Sequence, residues 1–543
     1  MTPISRRAFV GAAAASLACG RGRRPNVVLI MSDDQGYGDL SLHGNPHLRT
    51  PHTDRLARDG AQLTQFHVSP VCAPTRASLL TGRYNYRTGV VDTYLGRAMM
   101  HTEEVTLAEI LRDAGYRTGI FGKWHLGDNY PLRAMDQGFT ESLLHNGGGI
   151  GQPSDPPGNL YFDPFLQHNG RAVQRKGYCT DIFFDAAMEW IADQGNQPFF
   201  AYIATNAPHT PLQVDERYVA PFREQGLDET TARVYGMVVN LDENIGRLTQ
   251  RLDELGRDRD TIVIFLTDNG PQQDRFNAGM RGRKGSVYQG GIRVPCFVRW
   301  PGVIEAGRTI GEIAAHIDMV PTLLEACGVV LPSGLRIDGT SLWPALTGKG
   351  PAPAGRTLVF QWHRGDEPES FRASAVRTQR YKLVDGSALY DLEVDPAESR
   401  DLSGQQPELV ATLRTRYEEW FRDVSSTRGY APPRIHIGTP HENPVTLTRQ
   451  DWRGPRAGWD RASLGHWEVY VASPGPYRVR LRFEKTEKPA PVRFRLGNRA
   501  ESLLAPAGTE ESIFTDVVLA EGEGRVEASV GDVGVQYVDF EKI

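Results

Sequence analysis

The sequence has few cysteines, no strong excess of charge and no long apolar run in its body. Its five cysteines are odd in number and irregularly spaced among 543 residues, so no disulfide framework can be read from them. The 61 basic and 66 acidic residues nearly balance, which argues against a nucleic-acid-binding protein because such a protein carries a basic stripe or an elevated pI. Beyond the N-terminus no stretch is long and apolar enough to span a membrane, and neither internal repeats nor low-complexity tracts occur.

The N-terminus has the features of an export signal. Arg6 and Arg7 precede a short alanine-rich apolar run, as in twin-arginine signals, although a basic start can also arise by chance. Cys19 stands where lipoprotein processing would attach a lipid, but Ser16 occupies a position that is usually aliphatic. The sequence therefore predicts that residues 1–24 direct export to the periplasm or the cell surface, and it leaves a lipid anchor at Cys19 open.

Four apolar runs are typical of strands buried on both faces of a parallel sheet, and helical stretches separate them. Thr180 and Asp181 fit the N-terminal cap of one of these helices. This alternation predicts an α/β fold, with a large mixed, mostly parallel sheet flanked by helices. In such sheets ligands bind outside the carboxyl ends of the strands, where polar residues follow all four runs. The strand candidates are residues 26–32, 118–122, 199–204 and 261–267, and the helix candidates are residues 106–114, 180–193 and 229–255.

The pattern changes after about residue 346. Four short strand candidates at 358–361, 373–378, 381–384 and 388–392 predict a small antiparallel sheet, and a helix follows over residues 407–424. Apolar residues then alternate on both sides of a Pro-Gly turn, in 467–471 and 477–481, which predicts a hairpin within a β-sandwich-like module. We therefore predict five parts of the chain: an export signal (1–24), a catalytic α/β domain (25–346), an antiparallel subdomain (347–425), a linker (426–444) and an accessory module (445–543).

Two of the strand candidates end in residues that could hold a metal ion. Asp33 and Asp34 follow one run, and Asp268 and Asn269 follow another. Clusters of oxygen ligands suit calcium or magnesium, whereas zinc and copper prefer nitrogen and sulfur. A single Asp-Asp pair after a strand more often caps a helix, but two such pairs favour a metal site.

Cys72 and Arg76 lie four residues apart with Pro74 between them. Pro74 suits the first turn of a helix, and residues four apart share one helix face. Because a helix N-terminus favours anions, the segment predicts a sulfur and a guanidinium that both face an anionic substrate. The alternative is that Cys72 is a small buried hydrophobic residue, as a lone cysteine near a proline usually is.

This segment resembles the signature of the type I sulfatases, members of the alkaline phosphatase superfamily. Further segments are similar to motifs of the same family and occur in the same order over about residues 25–424. The resemblance implies an alkaline-phosphatase-like fold. The matching segments are Cys72-Ala73-Pro74-Thr75-Arg76, Leu80-Thr81-Gly82-Arg83, Gly122-Lys123-Trp124-His125-Leu126-Gly127, Ala207-Pro208-His209-Thr210-Pro211 and Arg281-Gly282-Arg283-Lys284-Gly285.

The resemblance implies a modified nucleophile and a metal site. In the family the cysteine, here Cys72, is converted to formylglycine, whose hydrate attacks the sulfur, and the conversion needs a maturation enzyme. The resemblance further implies that the modified Cys72 and the side chains of Asp33, Asp34, Asp268 and Asn269 bind calcium, with magnesium as the alternative.

The resemblance also implies roles for the basic residues. Lys123 and Lys284 would hold the sulfate, and His209 would protonate the leaving oxygen. His125 would take the proton of the hydrated formylglycine, and Arg76 would stabilise the metal-bound nucleophile. Two further positions fall where sulfatases shape their substrate pockets, His363 and Arg364, together with the glycine-rich loop 146–149.

The sequence thus predicts an arylsulfatase-type sulfuric ester hydrolase. Aryl sulfates would serve as model substrates and sulfated carbohydrates as natural ones. Two alternatives remain: a phosphate or phosphonate monoester hydrolase on the same fold, and a non-catalytic carbohydrate-binding protein with unconverted Cys72. Three tryptophans of the accessory module, Trp452, Trp459 and Trp467, could stack on sugars, although such residues more often lie in a core.

Overall fold

The computed structural model describes residues 24–543. The twin arginines and Cys19 lie outside this range, so the export signal and the lipid anchor stay predictions. Within residues 24–543, no helix has both the length and the apolar character needed to cross a bilayer.

A ten-stranded mixed sheet forms the centre of the first 330 residues. Its five middle strands are parallel, and they include all four strands that the apolar runs predict. The flanking strands are mostly antiparallel. In spatial order the strands are Arg308–Ile310, Ala61–Leu63, Cys296–Arg299, Thr261–Thr267, Asn26–Ser32, Phe199–Ala204, Arg117–Lys123, Glu141–His145, Phe165–His168 and Arg171–Gln174.

Helices cover both faces of this sheet, as the predicted fold class requires. Along the strand Asn26–Ser32, Val27 and Leu29 pack into one apolar cluster while Val28 and Ile30 pack into another, because side chains alternate across a strand. The α-helices among residues 24–543 are Pro51–Arg58, Cys72–Thr81, Asn85–Thr88, Leu107–Asp113, Cys179–Asp193, Glu216–Glu224, Glu229–Glu254, Gln289–Ile292, Met319–Ala326, Trp343–Leu346 and, on a second sheet, Pro407–Ser425.

One predicted helix cap is wrong. The helix Cys179–Asp193 begins one residue before Thr180, and its cap residue Tyr178 makes no side-chain cap hydrogen bond. The backbone N–H of Cys179 instead donates to the carbonyl of Tyr161 at 2.8 Å. A tertiary contact thus satisfies a helix-terminal N–H group that a side-chain cap would otherwise satisfy.

A four-stranded antiparallel sheet follows, as its short apolar runs predict. Tyr417 and Leu413 of the helix Pro407–Ser425 pack on Val359 and Leu383 of this sheet. The strands, in order, are Leu358–Gln361, Ser374–Arg377, Tyr381–Val384 and Ala388–Asp391.

Two further β-sheets form the C-terminal region, which we call the C-terminal module (residues 435–543). One apolar cluster fills the space between them. The larger sheet contains Ile435–Ile437, Leu464–Val471, Gly522–Val530, Ala490–Leu496 and Arg499–Ala505, with Arg453–Arg456 and Val533–Gly534 at its side, and the smaller contains Val445–Thr448, Tyr537–Lys542, Gly475–Arg482 and Glu511–Leu519.

Two expectations about this module differ from the structure. The predicted hairpin is wrong, because Leu464–Val471 and Gly475–Arg482 lie in different sheets and the chain crosses between them. Their buried side chains therefore face each other across the core instead of sharing one sheet face. Residues 435–437, which lie in the stretch interpreted as a linker, form a strand that pairs in parallel with Leu464–Val471.

Candidate active site

Four oxygen-bearing side chains meet at the carboxyl ends of two adjacent parallel strands. Ser32 pairs with Thr267 in register, so Asp33 and Asp34 emerge beside Asp268 and Asn269. The Asp34 backbone N–H donates to Asp268 Oδ1 at 3.2 Å, and Asn269 Nδ2 donates to Asp34 Oδ1 at 2.8 Å. Asp34 has a φ of +63°, a conformation that costs energy for a non-glycine residue and is common at functional sites.

Three oxygens of this cluster could coordinate a cation. Asp33 Oδ1, Asp34 Oδ2 and Asn269 Oδ1 are buried and have no hydrogen-bond partner within residues 24–543. A buried acceptor left unpaired costs about 1–3 kcal/mol, so three together call for a ligand. Ligand atoms of Asp33, Asp34 and His209 also lie within 4.8 Å of one another. The oxygen-rich donor set fits a hard divalent cation such as calcium or magnesium.

Two lysines approach the same carboxylates from neighbouring elements. Lys123, at the end of the strand Arg117–Lys123, places its Nζ 2.5 Å from Asp33 Oδ2. Lys284 Nζ lies 2.6 Å from Asp34 Oδ1. Burial alone would lower the pKa of Lys284, but the carboxylates around it, Asp34 foremost, raise that pKa above its ordinary value. Both lysines therefore bring positive charge to the mouth of the oxygen cluster.

Arg76 and Cys72 share a helix face, yet they meet different surroundings. Arg76 is fully buried and donates to Asp268 Oδ2 at 2.7 Å and to the carbonyl of Lys123 at 3.2 Å. Its guanidinium is thus held by Asp268, a candidate metal ligand, and its expected contact with the substrate stays a prediction. Burial raises the pKa of the Cys72 thiol, so an unmodified Cys72 is a poor nucleophile.

The two histidines of the site each have one ring nitrogen bound to the backbone. His125 Nε2 donates to the carbonyl of Thr93 at 2.7 Å, which leaves the buried Nδ1 without a partner among the described residues. His209 Nδ1 donates to the carbonyl of Thr210 at 2.6 Å, and its Nε2 lies 3.8 Å from Asp34 Oδ2. Burial lowers the pKa of His209 to about 3 and that of His125 well below its ordinary range, so both rings are neutral at pH 7.

A cavity of about 740 Å³ opens above these groups. The residues singled out from the sequence that line it are Cys72, His125, Gly148 of the glycine-rich loop, His209, Lys284, Arg364 and Trp459.

The other selected residues do not line this cavity. Lys123, like Arg76 and the metal-ligand candidates, is fully buried beneath it. His363 is bonded within its own loop, where its Nε2 accepts from the N–H of Glu369 at 2.8 Å. His363 is thus absent from the lining of the cavity, and its expected contact with the substrate stays a prediction.

The glycine-rich loop packs against the two histidines. A Cβ on Gly148 would lie 2.8 Å from the ring of His125, and one on Gly149 would lie 3.3 Å from His209 Nδ1. These glycines are needed for the close approach of the loop, which leaves little room for a side chain beside either ring.

Several lining residues were not found from the sequence. Tyr94, Gln152 and Gln272 lie on loops that carry no motif, and Arg283 occupies the variable position of the Arg-Gly-x-Lys-Gly segment. Trp459, one of the three tryptophans that could stack on sugars, does line the cavity, whereas Trp452 and Trp467 lie in the core of the C-terminal module. No local pattern shows that such distant segments meet at one cavity.

Comparison with known proteins identifies the family. The family model described as Sulfatase matches residues 25–329, which is more than half of the chain. The chain belongs to the sulfatase family. The model described as N-sulphoglucosamine sulphohydrolase, C-terminal, matches residues 283–423 of this sulfatase. Neither match extends beyond residue 423, so both leave out the C-terminal module.

Individual relatives agree with this assignment. The sulfatase is 35% identical to human arylsulfatase A over 468 residues, which cover 78% of this chain and 88% of the relative. It is 31% identical to dog N-acetylgalactosamine-6-sulfatase over 386 residues, which cover 64% and 72% of the two chains. The crystal structure of Ps i-CgsB in complex with k-i-k-neocarrahexaose aligns with a TM-score of 0.67 and 28% identity, covering 73% of this chain and 93% of that chain. These relatives make the protein a sulfuric ester hydrolase with the alkaline-phosphatase-like α/β fold.

Proposed function

We propose that this sulfatase hydrolyses sulfate esters of carbohydrates, with Cys72 carried as formylglycine and calcium bound beside it. The observation that supports this most is the convergence of Cys72, Lys284, His125 and His209 on one cavity beside the unpartnered carboxylate oxygens of Asp33 and Asp34. We also propose that residues 25–346 and 347–425 form the catalytic unit and that the first 24 residues direct export.

The side chains of Asp33, Asp34, Asp268 and Asn269 would hold the calcium ion. When bound, the ion would act as a Lewis acid that polarises a sulfate oxygen. Asp268 also accepts a hydrogen bond from Arg76, which orients this carboxylate and offsets the negative charge of the cluster. Magnesium is less suited, because it prefers a smaller octahedral shell that retains several waters.

Formylglycine at position 72 would supply, in hydrated form, an oxygen nucleophile that a buried protonated thiol does not offer. His125 Nδ1 has a free lone pair, because Nε2 donates to the carbonyl of Thr93. A neutral imidazole held in this tautomer can accept a proton. We therefore assign to His125 the acceptance of the proton in the step that releases sulfate.

Lys284, Lys123 and His209 would bind the substrate and assist departure of the alcohol. Lys284 lines the cavity and Lys123 is buried below it. Their ammonium groups, paired with Asp34 and Asp33, can neutralise the charge that grows on the sulfate oxygens. His209 Nε2 points toward the same place. An anionic sulfate beside this ring would raise its pKa, which would let Nε2 carry and then donate the proton that the leaving oxygen needs.

The walls of the cavity support a carbohydrate substrate. Tyr94, Trp362 and Trp459 present aromatic rings, and Gln152 and Gln272 present amide groups that can bind hydroxyls. The names of two relatives also support a carbohydrate substrate: one is an N-acetylgalactosamine-6-sulfatase, and the other is a protein crystallised with a neocarrahexaose. Aryl sulfates would then be model substrates that fill only the innermost part of the cavity.

One assay tests this proposal against its alternatives. Purified protein is given an aryl sulfate, the matching aryl phosphate and sulfated sugars, with and without a calcium chelator, beside a Cys72→Ala variant. The mass of the peptide that contains residue 72 reports its conversion. Calcium-dependent sulfate release by converted protein supports the proposal. Faster phosphate release by fully converted protein supports a phosphate or phosphonate ester hydrolase, and unconverted protein that binds sugar without turnover supports a binding protein.

A further inference from the structure

The three tryptophans of the C-terminal module have different surroundings. Trp452 and Trp467 are 0% exposed and belong to the core of the module, and their ring N–H groups donate to the carbonyls of Gly458 and Thr448. Trp459 is 36% exposed and lines the catalytic cavity, although it lies in a region that neither family match covers. A large aromatic side chain left partly exposed at a cavity is a common feature of binding sites.

The loop that carries Trp459 is held in place from both sides. Trp452 Nε1 donates to the carbonyl of Gly458 at 3.1 Å, just before the tryptophan. Arg449 donates to the carbonyl of Asp460 at 2.5 Å, just after it. Arg449 and Trp452 are themselves buried. The backbone on both sides of Trp459 is therefore preorganised, which lowers the conformational entropy that ligand binding against this loop would cost.

The module also holds the loop that presents Tyr94. The N–H of Gly96 donates to the carbonyl of Gln450 at 3.0 Å, and Gln450 Nε2 donates to the carbonyl of Thr93 at 3.0 Å. That same carbonyl accepts the hydrogen bond from His125 Nε2. The module thus contacts the backbone group that orients a histidine of the active site.

Tyr94, Trp459, Arg364 and Trp362 form one continuous wall of the cavity. The rings of Tyr94 and Trp459 meet edge to face, with centroids 5.2 Å apart and planes at 79°. The guanidinium of Arg364 lies 4.5 Å from the centre of the Tyr94 ring and 5.4 Å from that of Trp362. Asp92, which is buried, accepts hydrogen bonds from both Arg364 and Trp362 and holds them together.

The chemistry of this wall fits a sugar. Aromatic faces pack on the apolar C–H faces of sugar rings, and a half-exposed guanidinium can bind an anionic group such as a carboxylate or a second sulfate. We propose that the C-terminal module completes the active site, and that Trp459 and Tyr94 form a subsite for the sugar next to the sulfated one. This inference rests on the proposed function and extends it: the substrate is an anionic oligosaccharide that spans both parts of the chain.

Trp459→Ala tests the subsite directly. The substrates are sulfated galactan and chondroitin oligosaccharides, each paired with the sulfated monosaccharide that carries the same ester. Because the ring supplies contact area to the sugar, we expect kcat/KM for the oligosaccharides to fall about tenfold, which corresponds to about 1.4 kcal/mol, mainly through KM. The ratio of oligosaccharide to monosaccharide turnover should fall with it.

Two variants control the test. Trp459→Phe keeps an aromatic face and should restore most of the oligosaccharide turnover. Val518→Ala removes an exposed apolar side chain of the same module that does not line the cavity, and it should change neither substrate class. Thermal unfolding of each variant reports whether the module remains folded.

Binding without turnover gives a second readout. In Cys72→Ala protein, isothermal titration calorimetry should detect binding of the oligosaccharide, and its Kd should rise about tenfold when Trp459 is also replaced. Equal losses on both substrate classes, or an unchanged Kd, would overturn the subsite. Release of sulfate from aryl sulfate but from no oligosaccharide would overturn it and leave sulfate-ester hydrolysis standing. Release from neither by converted protein would overturn both.

Discussion

The edge of the central sheet and the C-terminal module both contribute to the cavity, but they differ in burial and in charge. At the sheet edge, Asp33, Asp34 and Lys123 are almost completely buried, and their charges are offset by one another. On the module, Trp459 is partly exposed and neutral. Charged groups in a dry interior interact strongly with a developing charge, whereas an exposed ring contributes contact area. This difference indicates that the sheet edge would supply the reactivity and the C-terminal module would supply the selection of substrate. The following variants test this division.

The largest effect should come from Cys72→Ala. If position 72 carries the nucleophile, sulfate release should fall by about a thousandfold or more on every substrate, because no other described side chain replaces it. Cys296→Ala is the matched control, since Cys296 is also a buried free thiol but is absent from the lining of the cavity. Steady-state kinetics on an aryl sulfate measures both. Substantial activity in Cys72→Ala would contradict the assignment.

His209→Asn should produce the next largest loss, and its size should depend on the leaving group. A positioned proton donor contributes about 10²- to 10⁴-fold, and a sugar alcohol needs the proton more than a nitrophenol does. We therefore expect a loss of this size on a sulfated sugar and a clearly smaller one on 4-nitrophenyl sulfate. Equal losses on the two substrates would show that His209 only binds the sulfate.

Removal of the metal should reduce catalysis at the sheet edge and leave substrate binding by the C-terminal module largely intact. Chelation should lower kcat/KM for an aryl sulfate by about a hundredfold, since Lewis-acid stabilisation is worth several kcal/mol, and added calcium should restore it. The oligosaccharide should still quench part of the tryptophan fluorescence, because Tyr94 and Trp459 line the cavity and are not among the candidate metal ligands. Full activity after exhaustive chelation, checked by metal analysis, would contradict the calcium assignment.

Gln450→Ala should weaken the link between the regions. The variant removes the side-chain hydrogen bond to the carbonyl of Thr93, whose other donor is His125. A typical hydrogen bond contributes about 1 kcal/mol, so we expect a loss of several-fold in kcat/KM on oligosaccharides and a smaller one on aryl sulfates. The exposed variant Val518→Ala serves again as the control. A greater loss on aryl sulfates would indicate that the main role of Gln450 is to orient His125.

Asp128→Asn should have the smallest effect on turnover, but it should change the pH dependence of stability measurably. Burial, helped by Asp155 and Glu442 and opposed by hydrogen bonds from Gly147, raises the pKa of Asp128 to about 7. A carboxyl whose pKa is raised on folding destabilises the folded state as pH climbs from about 4 through 7. Asp128→Asn should therefore reduce the fall in Tm between pH 5 and pH 8.

The matched control for this measurement is Asp532→Asn, which alters an exposed carboxyl of the module. Its Tm should follow the wild-type pH dependence. An unchanged slope in Asp128→Asn, measured by thermal unfolding at several pH values, would contradict the shifted pKa.

Much of the fold could be predicted because its strands carry a strong local signal. The runs at 26–32, 199–204 and 261–267 coincide with observed strands, since continuous β-branched and aromatic residues suit a sheet buried on both faces. The strand pairing of the C-terminal β-sandwich was harder to predict. Alternation showed which residues of 467–471 and 477–481 are buried, but it carries no information on which strand each one pairs with.

The site shows the same division between local and long-range information. The sequence by itself determined the candidate reactive groups, because Cys72, Lys123, His209 and Lys284 lie in short motifs that resemble those of the sulfatases. Only the tertiary structure decided that Arg76 is bound beneath the site by Asp268.

Trp459, more than 350 residues from Tyr94 along the chain, reaches the cavity only through the packing of the module. The physical reason is that a local pattern records the chemistry and burial of a segment. Which distant segments face one another depends on the packing of the whole chain.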